Sequence, residues 1–156
     1  MILDYIKHLR SMVGHEKVIM VVAGAMVFDD RNRLLLQLRT NSESWGLPGG
    51  FMDLNESVQE AARREVFEET GLTLKDMELF GIYSGPDKHK QFANGDQVSP
   101  VQILFRCHKY EGVLKKDNES HDIAFFQLNA LPENLFLEHR IMINDLLQHK
   151  EQPIIG

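Results

Sequence analysis

Arg63-Arg64-Glu65-Val66-Phe67-Glu68-Glu69-Thr70-Gly71 places three carboxylates within five positions. Spacings of three and four bring side chains to one side of an α-helix. Such acids either wet a surface or hold a cation, and the neighbouring residues bear on which. With about 100° of turn per residue and Glu65 as the reference, Val58, Ala61, Ala62 and Val66 fall within about 100° of it and mark the apolar stripe. Glu69 lies about 40° from Glu65, inside that stripe, and Glu68 borders it about 60° away on the other side. Glu60, Arg63 and Phe67 point away. Inward carboxylates repel one another and lose hydration, at a cost of roughly several kcal/mol per unpaired ion. Arg64 flanks the stripe and can brace one or two of them, not neutralise three. A divalent cation supplies the missing charge, and an oxygen-only donor set suits Mg²⁺ or Mn²⁺ rather than zinc.

The elements that would position these groups are legible at coarse grain. Ser57 and Glu60 form a capping box and Gly71 offers a left-handed stop, so the spacing predicts a helix over Ser57 to Thr70. Asp4 to Val13 has helical spacing and Gly14 ends it, within an N-terminal helical segment, residues 1–17. Val18 to Phe28 reads as a buried strand. A turn signal at Asp29 to Asn32 then leads to a second strand, Arg33 to Arg39, expected to pair with the first as a hairpin. Further strands are expected near Met77 to Ser84, Val101 to His108 and Asp122 to Leu128, with a last helix near Glu138 to His149. Pro86 to Pro100 reads as a long polar loop. The expected fold class is α/β: a single domain over residues 1–156, with helices packed on a central mixed sheet.

Composition bounds the rest. The 156 residues suffice for one core, and the net charge of −6 argues against nonspecific binding to nucleic acid or anionic membranes. The one cysteine, Cys107, forms no internal disulfide and shares a strand face with Val101, Ile103 and Phe105, so it reads as core in a reducing compartment. The N-terminal residues do not read as a signal peptide, and the longest apolar run, eleven residues, is too short to span a bilayer. The expected location is cytoplasmic.

From Gly50 the chain runs five residues to Glu56, seven more, then Arg64-Glu65-Val66-Phe67-Glu68-Glu69-Thr70-Gly71-Leu72. This resembles the signature of the Nudix hydrolases, with all nine fixed positions filled over 23 residues. Trp45-Gly46-Leu47-Pro48-Gly49-Gly50 and the stretch from Phe125 to Leu135 also resemble Nudix segments. The resemblance implies a Nudix fold, a mixed β-sheet between α-helices with residues 50–72 as loop–helix–loop. It also implies hydrolysis of a nucleoside diphosphate linked to another moiety. Carried over by position, Glu68 and Glu69 would be the main metal ligands. Glu65 would be a further ligand or would position the attacking water, and the Gly50 carbonyl would complete the metal's surroundings. Arg64 and Glu56 would form a bracing ion pair. The implied cofactor is Mg²⁺, with Mn²⁺ as substitute. A pyrophosphate repels hydroxide, and a divalent cation offsets that charge, so no nucleophilic side chain is required.

Outside the signature, Asp117, Glu119 and Asp122 are candidates for a further metal ligand or base, Glu119 first among them. Arg39 is a candidate phosphate contact, or an ordinary surface charge. Trp45 reads as core or as pocket wall. The loop Gly85 to Ser99, with Lys88, Lys90, Asn94 and Asp96, has the length and polarity of a substrate lid, or is a plain surface loop. The seven histidines lack zinc-ligand spacing and read as surface or packing residues. Family members that cleave ADP-ribose typically carry a proline about fifteen residues past the signature; Pro86 lies fourteen past Leu72. The expected substrate is therefore a small nucleotide, ADP-ribose or another nucleoside diphosphate sugar first. A nucleoside triphosphate is the alternative, and a noncatalytic nucleotide sensor a third reading. A homodimer is left open by the outward Phe67 and the N-terminal segment.

Overall fold

The computed structural model describes residues 4–156. In chain order it contains α1 (Tyr5–Val13), β1 (Val18–Val27), β2 (Leu34–Arg39), β3 (Trp45–Gly46), β4 (Gly49–Phe51), α2 (Val58–Thr70), β5 (Thr73–Leu74), β6 (Met77–Tyr83), a 3₁₀ turn (Pro86–Lys88), β7 (Lys90–Gln91), β8 (Gln97–Cys107), β9 (Tyr110–Glu111), β10 (Ser120–Phe126), α3 (Leu137–Leu147) and β11 (Ile154–Ile155).

The main sheet is mixed, ordered β11-β6-β8-β1-β4, with β7 also paired to β8. β1 lies parallel to β8 along its whole length, Val18 opposite Val98 through Val27 opposite Cys107, and antiparallel to β4. Its unbroken apolar run follows from burial on both faces. Ala23, Ala25 and Val27 pack toward Ala61, Ala62 and Val66 of α2, while Met26 and Phe28 pack toward Met142 and Ile143 of α3. The sheet is thus held between α2 and α3. A second sheet, β10-β2-β3, stands beside it.

Two expectations need correction. β1 and β2 do not form a hairpin ladder: apart from a single bridge, Phe28 to Leu34, β2 pairs with β10 and β3. The edges of β1 are filled by β8 and β4, so β2 continues into the other sheet. The turn between them is built as its composition suggests, with Asp29 Oδ1 accepting from the backbone N–H groups of Arg31 and Arg33. Nor is Pro86 to Pro100 one long loop. It contains the 3₁₀ turn, β7 and the start of β8, joined by a tight turn at Phe92–Asp96 in which Gly95 takes φ 96°. Among the described residues no helix is long and apolar enough to cross a membrane.

Candidate active site

α2 carries the acids, and its ends are set by local chemistry. Ser57 Oγ accepts from the Glu60 N–H, and Glu60 accepts in return from the Ser57 N–H, so the capping box is complete. Gly71 ends the helix at φ 79°, where a Cβ would strike the Val113 carbonyl oxygen at 2.6 Å. The helical-wheel reading of the three glutamates follows burial: Glu69 is 7% exposed, the Glu65 side chain 16% and the Glu68 side chain 56%.

Arg64 does more bracing than its position on the wheel suggests. It donates to both oxygens of Glu56 at 2.6 and 3.0 Å, to Glu65 at 2.9 Å, to Glu68 at 3.3 Å and to the Phe51 carbonyl at 3.1 Å. Asp53 lies 3.5 Å from it. Its guanidinium holds the Glu56 carboxyl below its ordinary range, while burial drives Glu65 upward against the pull of Arg64. Glu69 has no such partner. Burial pushes its pKa up to about 8, opposed by the charge of Arg39 and by N–H donors from Gly49 and Gln37.

β4 brings the backbone of Gly49 and Gly50 against these acids. A Cβ at position 50 would lie 2.4 Å from Glu65 Oε2, so only glycine lets the strand approach this closely. Among the described residues no three His, Cys, Asp or Glu side chains already converge as a ready-made metal nest. The donor chemistry nevertheless fits a hard divalent cation. Three carboxylates crowd one end of α2, Arg64 braces two of them while also serving Glu56, and the glycine strand passes close beside them.

A cleft of about 700 Å³ opens beside Gly49 and Gly50. Its lining includes Arg39, Lys90, Phe92 and His139, but not the carboxylates themselves, which stand behind the two glycines. Arg39 donates to the Leu47 carbonyl at 3.2 Å, leans on the Phe136 ring, and leaves its buried Nε without a partner among the described residues. Lys90 sits 4.4 Å from the centre of the same ring. His139 accepts the Leu47 N–H on Nδ1, so its proton resides on Nε2. Burial, together with Arg39 and Lys90, pushes its pKa down to about 3.

The other expected contacts divide between the cleft and the rest of the fold. Trp45 packs edge-on against Phe126 in the core below α3 and does not line the cleft. Lys88, Lys90 and Phe92 of the expected lid do line it, whereas Asn94 and Asp96 turn away. Asp96 is bound by Arg10 and His15, and Asn94 bonds to Asp96, so the far end of this segment is tied to α1. Glu119 is exposed immediately before β10, its carbonyl accepting from the Thr40 N–H and hydroxyl, and the next residue, Ser120, joins Gln37 and through it Glu69. Cys107 is buried, as expected of a core residue.

Two residues escaped the sequence reading. His139 carries no signal beyond a histidine on a helix. Gln37 does carry one: in Arg33 to Arg39 the alternate positions Leu35, Gln37 and Arg39 share a face, so an amide is aimed where leucine would be expected.

The geometry has counterparts in known proteins. The NUDIX domain profile matches residues 18–146. An ADP-ribose pyrophosphatase of Methanocaldococcus jannaschii is 37% identical over 127 residues, 80% of this chain and 71% of that protein. A MutT-like protein of Streptomyces ambofaciens is 31% identical over 126 residues, 81% of this chain and 75% of its own length. The crystal structure of a MutT NUDIX hydrolase from Burkholderia pseudomallei superposes with a TM-score of 0.68 at 30% identity, covering 81% of this chain and 97% of that one. Nudix hydrolases generally use divalent metal ions such as Mg²⁺. Because the matched span contains the acid-bearing helix, the glycine strand and nearly all of the cleft, the chain belongs to the Nudix family and is a pyrophosphohydrolase.

Proposed function

We propose that the chain hydrolyses the diphosphate of a nucleoside diphosphate sugar, ADP-ribose first, with Mg²⁺ held by Glu65, Glu68, Glu69 and the Gly50 carbonyl. The carrying observation is the surplus of carboxylate charge at the glycine strand, next to a cleft lined by the cations Arg39 and Lys90. The ADP-ribose preference is supported by the name of the M. jannaschii relative and by the position of Pro86. When bound, the cation offsets the charge of the diphosphate oxygens and acidifies water. The chain's own residues do the positioning. Arg64 fixes Glu65 and Glu68, and Arg39 reaches toward phosphate from the cleft wall. Glu65 orients the attacking water. The sum of the reaction is ADP-ribose and water giving AMP and ribose 5-phosphate. The lone buried Cys107 fits a reducing, cytoplasmic setting.

The test is product analysis by mass spectrometry with Mg²⁺, and with Mn²⁺ in parallel, over ADP-ribose, other nucleoside diphosphate sugars, dinucleoside polyphosphates and nucleoside triphosphates. AMP with ribose 5-phosphate is the expected result. Monophosphate with pyrophosphate from a triphosphate, and no cleavage of ADP-ribose, would move the chain to the triphosphate reading. No product from the whole panel would sink both.

A further inference from the structure

Gln37 is 2% exposed in a leucine-rich strand. A buried amide left unbonded costs about 1–3 kcal/mol, and here both of its ends are engaged. Ser120 Oγ–H donates to Gln37 Oε1 at 3.0 Å, and Gln37 Nε2–H donates to Glu69 Oε2 at 2.9 Å. The Gly49 N–H donates to the same carboxylate oxygen, also at 2.9 Å. The donor order runs from Ser120 through Gln37 to Glu69, linking β10, β2 and α2, with all three side chains buried.

This chain has a directional consequence. Glu69 Oε2 is pinned by two neutral N–H donors, while Oε1 has no hydrogen-bond partner among the described residues. Glu56, Glu65 and Glu68 are held by a cation, Arg64; among the described residues Glu69 makes no ion pair. A lysine or arginine in place of Gln37 would fix the carboxylate and also cancel its charge. A leucine would preserve the charge and release the orientation. An amide fixes the orientation without cancelling the charge.

We propose that Gln37 is a positioning residue, holding the Glu69 carboxylate so that Oε1 faces a divalent cation with no cationic side chain paired to it, and that Ser120 holds the Gln37 amide in turn. The inference rests on the reading of Glu69 as a cation ligand. Partners that orient a metal ligand are worth about 10–100-fold in metal affinity.

The experiment titrates Mn²⁺ alone into the full chain, followed by calorimetry and by the electron paramagnetic resonance signal of free Mn²⁺, with circular dichroism of the metal-free protein as the check on folding. Gln37→Leu should weaken Mn²⁺ binding about tenfold. It should also lower kcat at saturating metal while leaving the substrate KM unchanged. Ser120→Ala, which keeps the amide but frees it, should give a smaller loss in the same direction, and it carries the test if Gln37→Leu does not fold. Folded variants that bind Mn²⁺ as tightly as the parent would overturn the role of Gln37 and leave that of Glu69 standing. A parent chain that binds no Mn²⁺ would overturn both.

Discussion

The two sides of α2 hold their acids by opposite means. On one side Glu56, Glu65 and Glu68 share Arg64, with Asp53 at the periphery, all within reach of water. On the other, Glu69 is buried and held only by the amide of Gln37 and the backbone N–H of Gly49. The ionic side satisfies its charges and so secures the loop before α2 to the helix. The amide side leaves Glu69 without an ion pair, so in the metal-free chain its carboxyl keeps a proton up to about pH 8, and a cation that displaces this proton meets an unpaired carboxylate. Rigidity and charge are thus supplied by different residues a single helical turn apart.

The sharpest way to break this contrast is Glu69→Gln. The amide keeps the shape of the carboxylate and can still accept from Gly49, but it cannot supply charge. Turnover should fall about a thousandfold, equivalent to about 4 kcal/mol of lost transition-state stabilisation. Above about pH 8 the melting temperature of the metal-free protein should stay level or rise, because a desolvated carboxylate has been removed. Steady-state kinetics beside thermal melts decide it: full activity would remove Glu69 from the site, and a lower melting temperature would mean its charge stabilises the fold.

Arg64→Ala should behave in the reverse manner. It strands Glu56 and Glu65 together, so a stability loss of about 2 kcal/mol is expected, with a rate loss, in urea unfolding and kinetics. Arg64→Lys should recover little of either, since an ammonium cannot make the two-pronged bond to Glu56. A variant that lost rate at unchanged stability would show that the ionic side is not a brace.

How much of this contrast could be read from the chain depends on the distance to each partner. The acids, their helix and its caps are local, so spacing alone shows them. Partners far along the chain are not shown. The run of β1 announces burial, but nothing in it says that its neighbour is β8, about 80 residues on and parallel, rather than the adjacent β2. Asp96 has the look of a lid residue until Arg10 and His15 claim it. Gln37 meets Glu69 and Ser120 at separations of 32 and 83 residues, so its role appears only after the sheets are assembled.

A milder probe of the same contrast is pH. Glu69 titrates near 8 in the folded, metal-free chain against an ordinary 4.5, so between those values the folded state retains a proton that the unfolded state has lost. Stability should therefore fall as pH rises through that window and level off above it. His139 works the other way: folded near 3 against an ordinary 6.5, it lowers stability as pH falls below 6.5. The interval from about 6.5 to 8 isolates Glu69 from His139. Urea unfolding in a chelator should show a downward slope there that Glu69→Gln removes. An identical slope in the variant would assign the titration to another group.

Asp53→Asn tests the outer limit of the ionic side and carries the smallest expected effect. Asp53 is 45% exposed and 3.5 Å from Arg64, longer than any of the other carboxylate contacts to that guanidinium. Water screens it, and exposed pairs of this kind contribute about 0.2–1 kcal/mol. Its backbone N–H, which donates to Glu56, is untouched by the substitution. A stability change below about 0.5 kcal/mol is expected, with kcat and Mn²⁺ affinity unchanged. A loss comparable to that of Arg64→Ala would mean that the four carboxylates around Arg64 act as one cooperative unit. The division of α2 would then lie not between a charged and a neutral side, but between a network and a single residue.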